Sequence, residues 1–212
     1  ASEREGTCKV GLAEILLSKF GIFLVAIFCL VVGQGVIMGQ YPNYMEKVFE
    51  ISPADSSVAL SVAAMAGFFL IMLIEPLVKR IGSTAVFVLF SLLAGAAMMV
   101  MYLESLGDSP VAAYIPLGLA VIFVMSITVW DMTTPSSVAK LSRVGSGLSQ
   151  GLLMFTISIS YAGGNAASGY IAEGMGWKSI AFIVAVFLLA GAGIAALTLR
   201  QHRKTVVAIC QM

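Results

Sequence analysis

Residues 74–83, IEPLVKRIGS, stand between two oily stretches: SVALSVAAMAGFFLIML at 57–73 and TAVFVLFSLLAGAAMMVMYL at 84–103. Glu75, Pro76, Lys79 and Arg80 are charged or helix-breaking, yet they leave almost no room for a loop. A helix needs roughly 20 mostly apolar residues to cross about 30 Å of hydrocarbon. Both flanks meet that length, so the short polar stretch reads as a turn at a membrane surface.

Composition supports this reading. The chain has 212 residues, 59% hydrophobic and 11% charged, whereas soluble domains carry about 45–50% apolar and about 25% charged residues. So little charge cannot cover a water-facing surface, which excludes an ordinary soluble domain. A net charge of +1 with no basic run gives no basis for a nucleic-acid partner. Cys8, Cys29 and Cys210 are odd in number and widely separated, without metal-ligand or redox spacing, and read as free thiols. The chain opens on Ala1, which leads us to expect a processed, tagged or partial sequence. Residues 1–19 are too charged for a signal-peptide core.

Six apolar segments qualify as spans, at about 20–41, 57–78, 83–103, 111–130, 147–172 and 180–199. No short alternating segments of a barrel occur, and backbone in lipid must otherwise bond within its own helix. The expected fold is therefore all-α, a polytopic six-helix membrane bundle. With a cytoplasmic amino terminus, Arg4, Lys9, Lys19, Lys79, Arg80, Lys140, Arg143, Arg200, Arg203 and Lys204 fall inside, against Lys47 and Lys178 outside. This bias predicts both termini in the cytoplasm. Residues 1–19 form a lead-in whose CKVGLAEILLSKF pattern fits either a surface helix or an extension of the first span. Residues 200–212 form a basic tail.

The turn also resembles a known signature. The major facilitator superfamily carries G-x-L-A-D-R-x-G-R-R after its second helix, and this chain keeps Leu77, Arg80 and Gly82 of it. It departs at Glu75, where the signature has glycine, and at Lys79, where it has an acid. Arg143, Gly147, Gly151, Gly163, Gly164, Gly169, Gly176 and Trp177 resemble the family's passage from an Arg-x-x-x-Gly element through a Gly-rich helix to a GW turn. The resemblance implies one six-helix half of a twelve-helix transporter. The lead-in and the short basic tail favour the second half, partnered by another half in the same longer protein or in a second copy. It also implies a small-molecule solute moved by alternating access, either alone or with a coupling proton or ion; no cofactor is expected.

Within the turn, Pro76 is expected to help end the second helix and Gly82 to permit the reversal. Lys79 and Arg80 anchor the turn at the anionic leaflet, and Glu75 can pair with Lys79 at i,i+4. The cluster is thus either a topology anchor or a cytoplasmic gate, with Arg143 in the same group. The sharpest intramembrane candidate is Asp131, placed by the sequence at the cytoplasmic end of the fourth helix. It reads either as a cap or salt-bridge partner of Lys140 or Arg143, or as a gating or coupling carboxylate. Trp130 beside it reads as an interfacial belt residue in preference to a cavity wall.

By resemblance, the first and fourth helices line the cavity. That makes Gln34, mid-span between Gly33 and Gly35, a cavity candidate, followed outward by Gln40, Tyr41 and Asn43. Ser126 and Thr128 are weaker, because hydroxyls can bond back to their own helix. On the fifth helix, Gly163, Gly164, Asn165, Ser168 and Gly169 read as a packing face of small residues. No phosphate-binding loop or metal cluster is present, and the single His202 sits in the basic tail, so an enzyme is not expected. The competing function class is a non-transporting six-helix subunit of a larger membrane complex.

Overall fold

The computed structural model describes residues 18–107, 114–142 and 145–210, with side chains as far as Thr198. The lead-in at 1–17, Arg143 and the side chains of the basic tail lie outside the described residues. Six helices occupy nearly all of the described residues: α1 Lys19–Phe49, α2 Pro53–Ile81, α3 Ser83–Leu106, α4 Tyr114–Leu141, α5 Ser146–Met175 and α6 Lys178–Cys210. All but α5 are long and apolar enough to cross a membrane. At 30 residues α5 has the length, but its many Gly and Ser residues and Asn165 dilute its apolar character.

The ends of the helices follow from local chemistry. Ser18 caps α1, its hydroxyl accepting from the Gly21 amide at 3.2 Å. Ser52 caps α2, accepting from the Asp55 amide at 3.1 Å, with Pro53 as the first helical residue. One residue, Gly82, both ends α2 and starts α3, at φ 89° and ψ 153°. That region of backbone space is open to glycine and strained for other residues. Pro76 does not end α2, contrary to the sequence expectation: it lies inside the helix, as do Pro42 in α1 and Pro135 in α4. A proline removes a single backbone donor, and a membrane helix tolerates that where neighbours absorb the kink. The chain reverses at the glycine.

The helices pack as α1 with α5 and α6, α3 with α6 and α4, and α4 with α2. Exchanging α1–α3 for α4–α6 leaves this set of neighbours unchanged, so the bundle is built from two three-helix units. The linking turns match as well: Gly176, between α5 and α6, has φ 87° and ψ 154°, within a few degrees of Gly82. The main core lies where α1, α3 and α6 meet, around Phe23, Leu30, Phe87, Met98, Ile180 and Leu188. A smaller cluster of Ile74, Val86 and Val129 ties α2, α3 and α4 near the Gly82 turn. At the outer edges, α2 and α5 present apolar side chains outward, including Phe68, Leu73, Phe155 and Ile159.

Glycines set the spacing of several of these pairs, with the closest backbone approach between α1 and α5. A Cβ at Gly164 of α5 would run into the Val32 carbonyl of α1 and sit 3.1 Å from the Val36 amide. A Cβ at Gly35 would lie 2.6 Å from the Tyr161 carbonyl, and one at Gly39 would clash with the Asn165 side chain. Gly164 and Ser168 are buried in this seam. Gly163 and Gly169 have open space at the Cβ position and take no part in it. The corresponding α2–α4 seam is looser, with Gly67 facing the Thr128 side chain.

Candidate functional site

The middle of α1 is the most constrained place in the sequence for a polar group, because an amide there must face protein or water. Gln34 is half-buried and lines a cavity of about 340 Å³ between α1, α3, α4 and α5. From α1 the cavity also takes Ile27, Leu30 and Val31, and from α3 it takes Phe87. Helix α4 contributes Trp130, Asp131, Thr134 and Pro135; helix α5 contributes Leu153, Met154, Ile157 and Tyr161. The i, i+3, i+4 spacing of these sets places each on a single helical face.

The structure relocates two candidates. Trp130 is not a belt residue at the interface: it is 4% exposed, packed against Phe87 at 6.5 Å and Phe123 at 6.4 Å between ring centroids. Asp131 does not sit at the end of its helix, because α4 runs on to Leu141, about three turns further. The reason lies in TTPSS, residues 133–137. Thr133 donates to the Val129 carbonyl at 2.7 Å and Ser136 to the Thr133 carbonyl at 2.9 Å, so these hydroxyls bond back within the helix and it continues through Pro135.

The expected bridge between Asp131 and Lys140 is also absent. Lys140 donates instead to the Ser83 hydroxyl at 3.3 Å, and beside it the Thr84 hydroxyl donates to Ser137 at 3.3 Å. These contacts tie the start of α3 to the end of α4. Asp131 is exposed to the cavity and has no ion-pair partner among the described residues. Arg143, its other expected partner, lies outside the described residues.

The remaining candidates fall elsewhere. Gln40 and Asn43 pair with each other, the Asn43 amide donating to the Gln40 side-chain oxygen at 2.8 Å. Tyr41 is buried, and neither it nor that pair lines the cavity. Ser126 donates to the Ile122 carbonyl at 2.8 Å and Thr128 to the Val124 carbonyl at 3.2 Å. Both hydroxyls are satisfied by their own helix, and neither residue lines the cavity. At the α2–α3 turn, the Lys79 ammonium meets the Glu75 carboxylate at 2.6 Å, an exposed i,i+4 pair, and Arg80 is exposed beside it.

Sequence reasoning missed Thr134, Tyr161 and Phe87 as lining residues. Thr134 stands one turn from Trp130 and was readable by helical spacing once α4 was known to continue. Tyr161 and Phe87 arrive through tertiary packing and carried no local signal. The resulting pocket has apolar and aromatic walls, one carboxylate, one amide, and no basic side chain among its lining residues. The Trp130 indole N–H is buried without a hydrogen-bond partner among the described residues.

A family model described as Major Facilitator Superfamily matches residues 23–208, nearly the whole chain. No curated protein and no solved structure gives a significant match.

Proposed function

Because the chain belongs to the Major Facilitator Superfamily, a family of membrane transporters, we propose that it is a secondary-active transporter, or one half of one, moving a small solute by alternating access. The observation that carries this reading is the cavity itself. In spans almost empty of ionisable groups, Asp131 of α4 and the mid-span amide of Gln34 of α1 are brought to one pocket, with Trp130, Thr134 and Tyr161 around them. Polar groups inside a span are costly and persist where they face a pathway. In this reading a second six-helix unit closes the cavity, and rocking of the two bundles about it alternates access. The chain corresponds to the second half, with both termini cytoplasmic and the Glu75–Lys79–Arg80 turn on the inner leaflet, where it anchors the turn and flanks the inner gate. Asp131 is the cavity residue able to carry a coupling proton or ion.

The purified protein, screened for solutes that raise its unfolding temperature and then reconstituted in liposomes, tests the proposal. A stabilising solute should show saturable uptake that Gln34→Ala weakens by roughly tenfold, as expected for one lost polar contact. Stabilising solutes that never cross would support a structural subunit instead, and uptake indifferent to Gln34 would place the solute path away from this cavity.

A further inference from the structure

We propose that the cavity between α1 and α4 recognises an organic cation: an amine or quaternary ammonium carried on an apolar body. The inference deepens the transport reading of the same cavity by naming its solute class. Three observations combine. Asp131 is the one acid among the lining residues, no Lys, Arg or His stands beside it there, and it has no ion-pair partner among the described residues. A lone carboxylate in a low-dielectric, partly enclosed space favours a positive guest and repels a negative one. The wall beside it is aromatic, formed by Trp130, Phe87 and Tyr161, and Trp130 is held in place by its ring contacts with Phe87 and Phe123. Ring faces attract cations, most strongly when both are shielded from water. The rest of the lining is aliphatic, including Leu30, Val31 and Leu153, which suits an apolar body and gives a small polar ion no further ligands.

The polar groups that remain fit the same guest. Gln34 offers an amide oxygen able to accept from an ammonium N–H, and Thr134 and Tyr161 add hydroxyls on the same pocket. An anionic solute would need cationic side chains that this lining does not contain. A sugar would need a dense set of hydrogen-bonding groups on walls that are mostly hydrocarbon.

The test uses the protein in lipid nanodiscs with Trp177→Phe, so that Trp130 is the remaining tryptophan of the two and reports binding by its fluorescence. The probes are benzyltrimethylammonium, its uncharged counterpart 2-methyl-1-phenyl-2-propanol, and the anion phenylmethanesulfonate. The cation should bind saturably, the alcohol at least about tenfold more weakly, and the sulfonate without saturation, given the usual strength of contacts to a charged group. Asp131→Asn should remove the preference for the cation over the alcohol, and Asp131→Glu should restore it. Equal binding of cation and alcohol by the unaltered Asp131 protein, no saturable binding of the cation, or an unchanged preference in a folded Asp131→Asn protein would overturn the proposal. A cation that binds through Asp131 but never enters liposomes would leave this assignment standing and defeat the transport reading. Saturable uptake of a neutral solute by a protein that ignores the cation would do the reverse.

Discussion

The turns at Gly82 and Gly176 place their glycines in the same region of backbone space and are unlike in side chains. Both reverse the chain with one glycine at positive φ, 89° and 87°. The first is preceded by the Glu75–Lys79 pair and by Arg80. The second is preceded by Glu173 and followed by Trp177 and Lys178. Shared geometry reflects the repeat of three-helix units, which demands the same reversal twice. The different side chains reflect the opposite ends of the bundle at which the turns lie. The seams of the two units differ in the same spirit: α5 meets α1 backbone to backbone at Gly164, whereas α2 meets α4 through a Thr128 side chain at Gly67.

The largest effect is expected at Gly164. Gly164→Ala places a methyl group against the Val32 carbonyl, and backbone cannot turn aside, so α1 and α5 must separate. Overpacking of this kind should cost about 3 kcal/mol, read as lost stability in detergent-induced unfolding. The two turns come next. Gly82→Val and Gly176→Val should each cost about 2 kcal/mol, since both impose a backbone region that a β-branched residue avoids. Because neither Cβ position has a neighbour within 4 Å, the loss is conformational, and the two variants should match. A much larger loss at one would mean that the turns are not equivalent. Gly67→Ala should cost less, about 1 kcal/mol, because it meets the Thr128 side chain and no backbone, and a small shift of α4 relieves the contact. If Gly67→Ala proved as damaging as Gly164→Ala, the distinction between backbone and side-chain seams would fail. The smallest effect belongs to Glu75→Gln. Both partners of that ion pair are largely exposed, 57% for Glu75 and 73% for Lys79, so unfolding should not change measurably. A clear loss of uptake with stability intact would mark the turn as part of the gate.

The fold was largely legible because membrane crossing imposes a length and an apolarity that single segments must satisfy alone. The Gly82 reversal was legible for the same local reason. What misled was the treatment of proline and charge as helix ends. Pro76 and Pro135 lie inside helices, and Thr133 and Ser136 bond back to backbone carbonyls beside Pro135, so α4 continues past Asp131. That extension moved Trp130 and Asp131 from an interface into a cavity. Gly164 and Ser168 were visible as small residues at four-residue spacing, but their seating on Gly35 and Gly39 depends on which helices are neighbours. Adjacency of α1 and α5 is set by the whole bundle, and no local pattern encodes it. Tyr161 and Phe87 reach the pocket by that same packing.

The central claim is that the α1–α4 pocket is an aqueous solute site and not a buried joint between helices. Reactivity of single cysteines with a membrane-impermeant, charged thiol reagent tests it most directly, because a thiol in lipid or dry protein does not ionise and does not react. In a background with Cys8, Cys29 and Cys210 replaced by serine, Gln34→Cys and Thr134→Cys should be labelled in native membranes. Phe68→Cys, on the outward face of α2, should not. Labelling of both pocket positions at least about tenfold faster than Phe68→Cys, in line with the thiolate fraction that water access permits, is the predicted result. Pocket cysteines as inert as Phe68→Cys would contradict the account and return the chain to a structural role.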